Sequence, residues 1–266
     1  MKYRLADDAR PQAKMLMIAA IVSVALWFIP FAEILIYPFR IFVTFIHEGG
    51  HAIAALLTGN SVQSLSVSMS GSGEVYSTQG STFSQMFVSS AGYLGAMAFG
   101  AVMLVLIRRA AAARVILFAC AFLILFLTFV FGFLTPIFAA PGASWAGVPF
   151  TFIAGVAISF GLYAIGRWTG ERVALFMVSM IAVQCILNAL LDLKTVFFLS
   201  SPFGPTVPND AVNMASATGV PAIFWAVLWI AVAFGILLLA LRLYVSARDR
   251  AFDKQQDLPF ESKVEF

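Results

Sequence analysis

The sequence predicts an all-α, multi-pass membrane protein of about seven transmembrane helices with a small membrane-associated β-hairpin. Composition is the first reason. Of 266 residues, 61% are hydrophobic and 11% charged, whereas a soluble domain averages about 25% charged and about 45–50% apolar. Mean hydropathy is +0.95. The second reason is the spacing of charge-free runs, and the third is a Gly/Ser-rich segment that alternates with period two.

A helix needs about 20 mostly apolar residues to cross a bilayer. Residues 15–39 hold one charge, Glu33, and residues 83–107 hold none. Residues 115–166 hold none either, enough for two passes broken at Ala140-Pro141-Gly142. The expected spans are 15–37, 40–58, 84–107, 115–138, 146–166, 173–193 and 221–243. The first run is too long for a cleavable signal peptide. Residues 1–246 read as one integral membrane domain, and 247–266 as a charged, solvated tail.

Three polar segments interrupt the spans. Ser64-Leu65-Ser66-Val67-Ser68-Met69 alternates, Gly71-Ser72-Gly73 supplies a turn, and Glu74-Val75-Tyr76-Ser77 resumes the alternation, which makes a β-hairpin. Residues 195–220 carry Pro202, Pro205 and Pro208, then Asn209-Asp210 as a helix N-cap and Gly219 before Pro221 as a helix stop. The tail after residue 246 mixes charges.

Sixteen basic and thirteen acidic residues leave a net charge of +3. That excludes a nucleic-acid footprint and suits basic loops at a lipid surface. Arg108, Arg109, Arg114, Arg167 and Arg172 favour one side as cytoplasmic. Lys2, Arg4, Arg10 and Lys14 pull the other way, and a re-entrant segment near Pro30 would reconcile them. The two cysteines, Cys120 and Cys185, lie in apolar runs and build no disulfide framework.

The chain has two histidines, both within His47-Glu48-Gly49-Gly50-His51. Positions i and i+4 of a helix share a face, so the two imidazoles can bind one Zn²⁺. Glu48 between them can act as general base to a metal-activated water. Ionisable groups this deep in an apolar span are costly and mark functional sites. Gly49 and Gly50 serve either close helix approach or room for metal and substrate.

A catalytic zinc takes a third protein ligand and keeps one position open. The candidate acids are Glu33, Asp192 and Asp210. Spans two and six run the same way, so Asp192 and His51 fall toward one membrane face, and Asp192 is the expected ligand. Glu33 faces Arg40 two turns on, and Asp210 suits a helix cap. Asn188, one turn before Asp192, can hold a substrate carbonyl or oxyanion.

HEGGH in an apolar helix, a following hairpin and a late aspartate resemble the site-2 protease clan, and more narrowly its M50B-like membrane peptidases. Further matching pieces are Ser90-Ala91-Gly92-Tyr93-Leu94, Asn188 with Asp192, and Asn209-Asp210-Ala211 before Thr218-Gly219-Val220-Pro221. The resemblance implies a zinc endopeptidase with His47, His51 and Asp192 as ligands and Glu48 as base. Here the clan's Leu-Asp-Gly reads Leu191-Asp192-Leu193. The expected substrate is a membrane-embedded or membrane-proximal protein, and the expected location a bacterial inner membrane. Two other readings share the metal site: a non-proteolytic zinc-binding membrane protein (transporter or chaperone-like), and a hydrolase of lipid amides.

Overall fold

The computed structural model describes residues 10–78, 80–108, 112–138, 147–201 and 207–246. The Ala140-Pro141-Gly142 turn, Pro202, Pro205 and the tail lie outside them. The described chain is mostly helical, with one two-stranded sheet. Its order is α1 (Arg10–Ala25), α2 (Glu33–Leu57), β1 (Val62–Val67), β2 (Gly73–Ser77), α3 (Thr82–Arg108), α4 (Ala113–Phe129), α5 (Thr135–Phe138), α6 (Val148–Trp168), α7 (Glu171–Leu199), α8 (Asp210–Thr218) and α9 (Ala222–Ser246).

Five helical segments are long and apolar enough to cross a membrane: Thr82–Arg108, Ala113–Phe138, Val148–Trp168, Glu171–Leu199 and Ala222–Val245. These correspond to the last five expected spans. In the second of them, α4 and α5 are joined by a π-helical turn, Val130–Leu134. The first two expected spans are redrawn, so five candidates replace seven. The run from residue 15 to 37 does not continue as one helix. A 3₁₀ turn, Leu26–Phe28, follows α1, then Pro30, and then Phe31 with φ of 65°. Proline lacks an amide proton and a left-handed phenylalanine is incompatible with helix, so the chain turns there. The 16 residues of α1 rise about 24 Å, short of the roughly 30 Å hydrocarbon core. The α2 helix is 25 residues long, but it carries Glu33, Arg40, Glu48 and both histidines.

At the centre, α3 packs against α2, α7 and α9, while α4 pairs with α6, and one apolar core runs through them. Phe122, Phe160, Phe224 and Leu238 face outward, as expected of helices solvated by lipid. Strands β1 and β2 pair antiparallel, with Leu65 opposite Val75 and Val67 opposite Gly73. The hairpin expected from the alternation is therefore present. At its tip Gly71 has φ of 83°, the left-handed conformation that glycine adopts without strain. Helix α2 pins the tip: the Tyr37 hydroxyl donates to the Met69 carbonyl at 2.8 Å, and the Thr44 hydroxyl to the Gly71 carbonyl at 2.8 Å. On the far side, the Thr151 hydroxyl of α6 accepts from the Val67 amide at 2.8 Å.

Candidate metal centre

The HEGGH residues occupy the second half of α2. Glu48 and His51 are buried and His47 is half-buried. The His51 Nδ1–H donates to the carbonyl of Val88, one turn before Gly92 on α3, at 2.7 Å. A carbonyl only accepts, so this bond places the ring proton on Nδ1 and leaves the Nε2 lone pair facing inward. His47 is held by the edge of the Tyr93 ring, with centroids 4.5 Å apart. Tyr93 in turn packs on Trp229 of α9, whose indole N–H donates to Ser90 at 3.1 Å.

The two Nε2 atoms are 3.1 Å apart. One oxygen of Asp210 lies 3.6 Å from His47 Nε2 and 3.4 Å from His51 Nε2. Three donor atoms so close, two of them imidazole nitrogens, can share one cation. Ligands at about 2.0–2.1 Å around a tetrahedral ion sit about 3.3 Å apart, so the separations suit one zinc ion. Among the described residues, the His/Cys/Asp/Glu group able to hold a metal is His47, His51 and Asp210. Asp192, the expected third ligand, is not in it.

Local structure explains why Asp210, and not Asp192, stands beside the histidines. The expected Asn209-Asp210 cap is carried by Asn209 alone. Its side-chain oxygen accepts from the Ala211 and Val212 amides at 2.9 and 3.1 Å. Asp210 is thereby released from capping, and α8, packed on α3 and α9, presents it to the histidines. Helix α8 stops where expected, at Gly219 with φ of 74°. Burial pushes the Asp210 carboxyl up, but the neighbouring His51 and His47 outweigh it and hold the group below the usual carboxylate range.

The glycines resolve unexpectedly. A β-carbon at Gly50 would overlap the Ala91 carbonyl of α3, and one at Gly49 would stand 2.7 Å from the Leu127 side chain. Gly50 of the motif therefore serves close packing of α2 on α3. The glycine that leaves room for a metal is Gly92, where a β-carbon would overlap both Nε2 atoms. Nothing in the sequence separates it from the other small residues of its helix face. Gly92→Ala should weaken zinc binding by at least about tenfold, the scale of changes around metal ligands. Gly95→Ala, with Gly50 Cα 3.7 Å from the added carbon, should bind normally. Chelator competition on both purified variants checks this, and equal affinities would refute it.

Two cavities meet at Glu48. One, about 670 Å³, is lined by His47, Glu48 and His51, by the whole of β2 and by Ser84, Gln85 and Asn213. A β-carbon at Gly73, the first residue of β2, would overlap the Glu48 carboxylate, so the strand starts directly over the expected base. The other, about 310 Å³, is lined by His47 and Glu48 together with Arg40, Asn188 and Asp192. Asn188 and Asp192 thus line a cavity beside the histidines, on α7.

The family model described as Peptidase M50B-like matches residues 16–240. No curated protein and no solved structure matches the chain.

Proposed function

Because the chain belongs to the Peptidase M50B-like family, we propose that it is a zinc-dependent endopeptidase of the bacterial inner membrane, cutting membrane-embedded or membrane-proximal proteins. His47, His51 and Asp210 would hold the metal. The observation that carries this reading is the buried carboxylate of Glu48 beside that three-donor group, at the floor of a cleft walled by a strand edge. Cavities of roughly 300–1,000 Å³ are usual for ligand sites.

Zinc, when bound, supplies carbonyl polarisation and acidification of water. The remaining work falls to the chain itself. Among the described residues strand β2 pairs with β1 alone, and all five of its residues line the cleft. An extended peptide can pair with the strand's other edge, with backbone hydrogen bonds fixing its register over Glu48. Glu48 takes a proton from the attacking water and delivers it to the departing amide nitrogen. The Val88 carbonyl and the Tyr93 ring hold the two imidazoles in place, and Tyr93 also faces the Asp210 carboxylate.

Metal removal tests the reading. Chelation of the purified protein in nanodiscs should abolish hydrolysis of a membrane-proximal peptide, and zinc but not magnesium should restore it. Hydrolysis that persists at full metal depletion would overturn it.

A further inference from the structure

With Asp210 beside the histidines, Asp192 has no part in the proposed chemistry, yet it is an acid on an apolar helix. It is accessible from the smaller cavity. Among the described residues it makes no hydrogen bond or ion pair. Arg40 lines the same cavity. An acid on a membrane-spanning helix that faces a cavity and makes no ion pair is a candidate binding group.

Its neighbours share its polarity. Asn188, Asp192 and Thr195 lie at i, i+4 and i+7 of α7 and all line the cavity. The Asn188 side-chain amide donates to the backbone and side-chain oxygens of Gln184, at 2.8 and 3.1 Å. Its donors are spent, and its carbonyl oxygen is left. That disfavours the oxyanion role expected from the sequence, which needs a donor. The Thr195 hydroxyl donates to the Leu191 carbonyl at 2.9 Å, which leaves oxygen lone pairs. The stripe therefore offers acceptors only. It spans about 10 Å along the helix at 1.5 Å rise per residue, too far for the three groups to converge on one metal ion. A lysine or arginine head needs only Asp192 as counterion, with Asn188 or Thr195, about one turn away on either side, as a further acceptor.

We propose that the Asn188–Asp192–Thr195 stripe is a specificity subsite that takes a lysine or arginine side chain of the substrate, next to the scissile bond. The proposal rests on the cleft being a peptide site.

Binding and turnover test it separately. In nanodiscs, the full chain carrying Glu48→Gln binds polar peptides in which one lysine is walked along the sequence, each compared with norleucine at the same place. At one position lysine should tighten binding about ten- to a hundredfold, the range for charge-assisted hydrogen bonds. Asp192→Asn should erase that preference, Asp192→Lys should transfer it to glutamate, and Thr195→Val should weaken it. The proposal falls if no position favours lysine, if the preference survives in Asp192→Asn, or if Asp192→Asn loses zinc. If the preference stands but protein with Glu48 intact cleaves none of the bound peptides, the peptidase reading falls and the subsite remains.

Discussion

Glu48→Gln should leave zinc content and fold unchanged while lowering peptide hydrolysis by at least about 10²–10⁴-fold, the usual contribution of a general base. That is about 3–5 kcal/mol of transition-state stabilisation. Glutamine nearly matches glutamate in shape, so the tight seat under Gly73 is kept. An amide cannot accept the water's proton. Glu48 lies outside the three-donor group, which is why the metal should stay. Metal analysis and single-turnover rates on the same preparation check both halves. A variant retaining a tenth of the native rate would remove Glu48 as base, and one that lost zinc would make it a ligand.

Asp210→Ala should strip the metal. Two imidazoles alone leave the site one ligand short of the three that catalytic zinc takes. The loss should exceed the 10–100-fold typical of groups that merely orient ligands. Helix α8 should survive, because Asn209 makes the capping bonds. Asp192→Ala should keep its zinc. Metal content and circular dichroism of the two variants decide between the acids. Zinc retained in Asp210→Ala and lost in Asp192→Ala would restore the assignment expected from the sequence.

What the sequence disclosed was local. Charge gaps located five of the helices to within a few residues. Alternation around Gly71-Ser72-Gly73 gave the hairpin, and Asn209 and Gly219 bracketed α8. The i, i+4 histidines stand on one helix because five consecutive residues determine it. What it concealed depends on parts of the chain meeting at a distance. The choice of Asp192 over Asp210 rested on spans two and six running the same way and on reading Asp210 as a helix cap. That parity survives, since Asp192 does line a cavity beside His47; what the sequence hid is that Asn209 alone caps α8 and leaves Asp210 free to face the histidines. Gly92 was concealed for another reason. A missing β-carbon reads the same whether a backbone or a metal ligand fills the gap, and only the opposing atoms tell them apart.

The Thr151 hydroxyl on Val67 has a consequence for association between molecules. A two-stranded sheet has two outer edges, and each is a template on which a stray chain can pair. Here the β1 edge is stoppered at Val67 by a helix side chain, so a second strand cannot zip along it. The residues of β2 line a cleft together with residues of α3 and α8. The hairpin therefore has one edge blocked by its own bundle, and copies crowded in a membrane meet a stoppered strand at β1.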